Sequence, residues 1–186
     1  MQNNASSAGV KRGGLINTAE IKILICYILK SVSQPVCGTD LAEIFHHEGI
    51  ANYFEIDNAI SELKANGSIL LVDGTTDTYI ISDKGADAAI TLKTTLPYTI
   101  RQKAYNLTVK MLATARNYAE TKFSVEERDK GCIISCSAFD HDLELLTVRI
   151  AVADEQQART VKERFVANPS AVCRKIINYV LDNKEE

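Results

Sequence analysis

The sequence predicts an α+β protein built in two parts, and three patterns predict it. Helix-spaced apolar stripes surround one short hairpin signature up to about residue 95. From Asn117 the apolar period shortens from 3.6 to 2 and holds through three runs, as in a three-stranded antiparallel meander. Helix-spaced residues then return toward the C-terminal end. The expected divisions are a disordered tail over 1–14, a helical domain with a hairpin over 15–95, and a C-terminal α+β domain over 96–186. That last domain would hold one helix, three strands and two flanking helices, because a three-stranded sheet cannot cover its own apolar face.

The tail, Met1–Gly14, is rich in Asn, Ser, Ala and Gly and offers little to bury. The first helix is expected to start at Asn17 or Thr18, where Asn17 and Glu20 have capping-box spacing, and to end at Pro35 and Gly38. Ile21, Leu24, Ile25, Ile28, Leu29 and Val32 form its stripe. Ile23, Cys26 and Tyr27 add apolar surface on other sides, so burial from more than one direction is expected. Thr39 is the expected cap of a second helix, with Leu41, Ala42, Ile44 and Phe45 inward and Gly49 as its stop. A third helix follows Asn52 and runs to Asn66–Gly67, turning Ile56, Ala59, Ile60 and Leu63 inward.

Ile69–Val72 and Thr78–Ser82 flank a polar turn at Asp73–Asp77 and form the hairpin. Ser82 or Asp83 then caps a fourth helix to about Thr94, and Pro97 opens a fifth that runs to about Arg116. On the fifth, Ile100, Ala104, Leu107, Met111 and Thr114 repeat at coiled-coil spacing, which fits either a core-facing side or a dimer seam. In the meander, Ala119, Thr121, Phe123 and Val125 alternate first, then Cys132, Ile134, Cys136 and Ala138, then Leu146, Val148, Ile150 and Val152. Asp154 with Gln157 opens a helix bearing Ala158, Val161 and Phe165. Asn168–Pro169 starts the last, with Val172, Cys173, Ile176, Ile177 and Val180 on one face.

Hydrophobic residues at 46% and charged residues at 24% place the chain among globular proteins. Five cysteines with no CxxC pair argue against a disulfide framework and for a reducing, cytoplasmic setting. No stretch has the order of a signal peptide, and the longest apolar run, Ile21–Leu29, is too short for a bilayer, so no membrane association is expected. The net charge of −3 is uneven: seven Lys/Arg face eleven Asp/Glu through Lys93, and fourteen face thirteen beyond it. Neither part is strongly basic.

Three helices, a hairpin and the run Tyr79-Ile80-Ile81-Ser82-Asp83-Lys84-Gly85 resemble winged helix-turn-helix transcriptional regulators of the PadR and MarR type. Their hairpin closes with Tyr-x-Leu-Thr-x-x-Gly before the next helix. Ala59–Ile69, AISELKANGSI, is similar to the end of their recognition helix. The full architecture, through Leu145–Ala158 (LLTVRIAVADEQQA), is also similar to a bacterial family known only as a domain of unknown function. The resemblance implies an N-terminal winged helix whose third helix enters the DNA major groove while the hairpin touches the flanking backbone. It makes Asn58 and Ser61 the base-reading candidates, and Lys64, Thr75, Thr76 and Lys84 the phosphate-contacting ones.

The expected function is a homodimeric transcriptional regulator of double-stranded DNA. Charge favours a different use of the same fold. Glu55, Asp57 and Glu62 stand against Lys64 alone on the third helix, and only Lys11, Arg12, Lys64, Lys84 and Lys93 are available for phosphates. The alternative is therefore a winged helix that binds a protein partner without DNA.

No cofactor or metal is expected and no catalytic residue is nominated. Glu43 and His47, one helical turn apart beside His46, are two ligands that do not close a metal site. Cys132 and Cys136 share a strand face that suits small core residues better than a redox pair. His141 lies between Asp140 and Asp142 without a nucleophile. No phosphate-binding glycine loop is present, so an enzyme is not expected.

Overall fold

A computed structural model describes residues 9–11 and 13–181. The chain divides into two compact units, Met1–Leu112 and Ala113–Glu186. The break lies beyond the boundary expected near residue 95. The start of the fifth helix is the reason: Ile100, Ala104, Leu107 and Met111 all pack into the first core. That settles these four as core residues; Thr114, further along the same stripe, is exposed.

The first unit runs α1 (Thr18–Val32), β1 (Val36–Cys37), α2 (Gly38–His47), α3 (Tyr53–Ala65), β2 (Ile69–Leu71), β3 (Thr78–Ile81) and α4 (Asp83–Leu92). A short 3-10 turn over Lys93–Thr95 leads to α5 (Tyr98–Ala119), which begins here. Ile21, Leu24, Ile28, Phe45 and Ile56 are at most 1% exposed and centre the core. α1 is buried on several sides as expected, with Ile23, Tyr27 and Val32 also packed against this cluster. Its apolar excess is used inside the unit. The N-terminal cap is Asn17, whose side chain accepts from the Ala19 N–H at 2.8 Å.

The hairpin gains a strand that the sequence did not suggest. β1 pairs antiparallel with β3, giving the order β1-β3-β2, with Val36 opposite Tyr79 and Leu70 opposite Ile80. Two residues are too few to show a period, so this strand has no local signature. Within the expected tail Lys11 N–H donates to Gly49 O at 3.0 Å, and just after it Leu15 N–H donates to Ile50 O at 2.7 Å. Met1–Ala8 and Arg12 lie outside the described residues.

The second unit carries β4 (Thr121–Glu127), β5 (Cys132–Asp140), β6 (Leu143–Val152), α6 (Glu155–Ala167) and α7 (Pro169–Leu181). The sheet is the antiparallel meander β4-β5-β6. α5 continues past the expected stop at Arg116 to Ala119, so the first strand starts at Thr121. Cys132, Ile134, Cys136 and Ala138 are buried under the helices, and Phe123 meets Phe165 edge to face at 6.1 Å. Cover is incomplete. Val125 and Ile150, expected to face inward, are 51% and 40% exposed. On α7, Cys173 is buried but Ile177, Val180 and Leu181 stand open. The helical period marks the apolar face, but the fold buries it only toward its Cys173 end. No helix among the described residues is long and apolar enough to cross a membrane.

Candidate nucleic-acid interface

α3 divides its residues as its 3.6 period requires. Ile56, Ala59, Ile60 and Leu63 are buried, while Asp57, Asn58, Ser61, Glu62, Lys64 and Ala65 are exposed. Asn52 caps the helix, accepting from the Phe54 N–H at 2.9 Å. Tyr53 turns inward against the core, whereas Phe54 points out and is 79% exposed.

The run Ser82–Gly85 fastens α4 to the end of α3. Ser82 Oγ caps α4 through the Gly85 N–H, and lies 2.8 and 2.9 Å from Gly67 O and Ser68 O. Ser82 N–H donates to Ser68 O at 3.1 Å. A Cβ on Gly85 would strike that same Ser68 carbonyl oxygen, so glycine sets how closely α4 approaches. Lys84 Nζ donates to Asn66 O at 2.6 Å, where the C-terminal carbonyls of α3 favour a cation.

Asp77 organises the other end of the hairpin. Its carboxylate accepts from the Thr39 N–H at 2.7 Å and the Thr39 hydroxyl at 2.6 Å, and its carbonyl accepts from the Gly38 N–H at 2.8 Å. Thr39 is therefore not the cap of α2; the helix begins at Gly38 and has no side-chain cap from Cys37. The capping carboxylate comes from a distant turn instead. Burial opposes the charge on Asp77, but hydrogen bonds from Thr39, and then from Cys37 and Tyr79, outweigh it and hold the carboxyl below the usual range. Gly38 leaves the room, since a Cβ there would stand 2.7 Å from Asp77 Oδ1.

The six nominated residues have different fates. Ser61, Lys64 and Thr76 are exposed, and among the described residues their side chains make no hydrogen bond or ion pair. Asn58 donates to Glu62 Oε1 at 3.3 Å. The Thr75 hydroxyl turns back to Val72 O at 2.7 Å, so it shapes the turn instead of facing solvent. Lys84 is exposed, but its ammonium is engaged by Asn66 O.

The acidity of α3 is also less than a count along the helix implies. Glu62 Oε2 pairs with Lys22 Nζ of α1 at 2.7 Å, and this ammonium holds the Glu62 carboxyl below its usual range. Glu55 accepts from the Thr18 hydroxyl at 3.0 Å. Three carboxylates thus face two ammonium groups, with Asp57 the one left open. Sequence reasoning missed Lys22 because it belongs to another helix, and missed Phe54 because either aromatic at the start of α3 could have turned inward.

Elsewhere, Glu43, His46 and His47 border one shallow hollow with Tyr53 and Met111. Among the described residues no group of three or more His, Cys, Asp or Glu is placed to hold a metal. His141 is exposed at the β5–β6 turn with φ 55°, its Nδ1 2.9 Å from Asp140 Oδ1. Cys132 and Cys136 are buried four residues apart on β5, a separation of about 13 Å along a strand. A disulfide needs Cα atoms within about 7 Å, so β5 holds these two apart.

Seven α-helices and two three-stranded antiparallel sheets among the described residues define an α+β protein. Its first unit presents an exposed polar helix face beside a short sheet. The chain belongs to the family described as Domain of unknown function (DUF4364), which matches residues 21–180. No curated protein and no solved structure matches the chain.

Proposed function

We propose that the first unit is a winged helix that binds double-stranded DNA, as part of a homodimeric regulator. One observation carries this reading. Asp57, Ser61 and Lys64 on the outer face of α3 are exposed and left unused by the fold, while Ser68, Ser82 and Lys84 lock its C-terminal end to the hairpin and α4. A reading helix held rigidly beside a hairpin is what groove recognition requires. The Lys22–Glu62 pair supports it further by removing one opposing charge. Ser61 and Asn58 are the base-edge groups, and Lys64 and Thr76 the phosphate groups.

Mobility shift of genomic fragments at low salt tests the proposal, and retardation by micromolar protein is expected. No retardation up to high micromolar protein removes it. Lys64→Ala should weaken binding on all sequences alike and lower the salt slope by about 1.

A second reading, docking of a protein partner on the same face, is favoured by exposed apolar residues. Phe54, Leu70 and Ile80 all stand open in this unit. If Phe54→Ser leaves every captured partner in place while the fold is intact, that reading fails.

A further inference from the structure

The second unit contains a cavity of about 380 Å³ between β4–β5 and the start of α6. That volume is at the small end of the range of ligand pockets, about 300–1,000 Å³. Its apolar part is built by Phe123, Val125, Ile134 and Ala158. Ile134 and Ala158 are buried, whereas its cross-strand neighbour Val125 is half exposed and opens the cavity to solvent. Phe123 is held edge to face by Phe165, so this wall is preorganised.

The polar part is one-sided. Arg159 and Lys162 lie three residues apart on α6, hence on one face, and both border the cavity. Lys162 Nζ sits 5.4 Å from the centre of the Phe123 ring, and neither cation has a carboxylate partner within ion-pair distance among the described residues. Glu155 is the single acid at the rim. Two cations against one carboxylate leave one positive charge beside an apolar floor.

We propose that this cavity is a binding site for a small monoanion with an apolar body, an aromatic or medium-chain carboxylate. The carboxylate pairs with Arg159 and Lys162, and the body covers Phe123, Val125 and Ile134. One positive charge matches a monoanion, and the half-exposed Val125 supplies apolar area that the fold itself leaves open. This site does not depend on DNA binding by the first unit.

The test is titration of the full chain with 2-naphthoate and octanoate against their neutral amides, followed by calorimetry and amide-resolved NMR. Saturable binding at submillimolar carboxylate is expected, with shifts at Phe123, Ile134 and Ala158. Binding should be about tenfold weaker for the amides and for an Arg159→Gln/Lys162→Gln double variant. Val125→Glu, a change at a half-exposed position, should abolish carboxylate binding while circular dichroism stays native. Absence of saturable binding at millimolar carboxylate overturns the proposal. Equal affinity for acids and amides, or shifts confined to other residues, overturns it on the wild-type protein alone.

Discussion

Replacing Asp77 by Ala removes a cap that α2 takes at Thr39 from a turn 38 residues further along the chain. The two short hydrogen bonds to the carboxylate are lost, from the Thr39 N–H at 2.7 Å and its hydroxyl at 2.6 Å, together with the longer one from Cys37 Sγ at 3.6 Å. Loss of a helix cap costs about 1 kcal/mol, and a hydrogen bond to a charged acceptor about 1.5–3 kcal/mol when well buried. The carboxylate is only partly buried, so a total of about 2 kcal/mol is expected. With a urea dependence of about 1–3 kcal/mol per molar, the unfolding midpoint should fall by roughly 1 M.

Far-UV circular dichroism in urea measures the shift, and a cycle with Thr39→Ala isolates the contact. Thr39→Ala should cost less in the Asp77→Ala background than in the wild type, with a coupling of about 0.5–1 kcal/mol or more. Additive losses, or an Asp77→Ala effect below about 0.5 kcal/mol, would refute the long-range cap. The carboxyl also gives a pH signature. Its folded pKa lies below the unfolded value, so its contribution is fully present above about pH 4 and is lost as pH falls through the folded pKa. Asp77→Asn should therefore flatten the acid limb of the stability curve.

Gly85→Ala should destabilise the first unit by about 2–3 kcal/mol in the same urea assay, since its Cβ meets backbone at Ser68 O and not a yielding side chain. Lys22→Ala should weaken DNA binding in a mobility shift although Lys22 is on α1, because Glu62 then faces the duplex unpaired. If binding is unchanged, the face of α3 does not meet phosphates. Thiol labelling should find Cys26, Cys132 and Cys136 inert in the native chain, as all three are buried, and burial pushes the Cys26 thiol up to about 11. Rapid native labelling of Cys26 would contradict that packing. The proposed dimer has its best support in Ile177, Val180 and Leu181 on α7, so Ile177→Lys should shift light-scattering mass toward a monomer. A wild-type monomer at tens of micromolar would remove the dimer.

The elements legible along the chain are those whose cause is local. The α3 stripe of Ile56, Ala59, Ile60 and Leu63, the Asn17 and Ser82 caps, and the alternation along β5 each declare themselves within a few residues. The candidate site was legible as an exposed polar face but not as a charge distribution. Lys84 looked free because nothing near it in sequence competes for its ammonium, yet Asn66 O engages it in the fold, and the Thr75 hydroxyl is taken by Val72 O inside its own turn.

The sequence by itself therefore determined the α+β class, the order of the elements apart from β1, and which side of α1, α2, α3 and α6 faces inward, since periodicity and capping act over one or two turns. Only the tertiary structure decided that Val36–Cys37 is a strand, that Asp77 caps α2, and that Lys22 offsets Glu62. It also decided that Val125 stands half exposed beside Arg159 and Lys162. Each of these depends on groups about 34 to 43 residues apart along the chain, and their meeting is fixed by core packing, which no local pattern records.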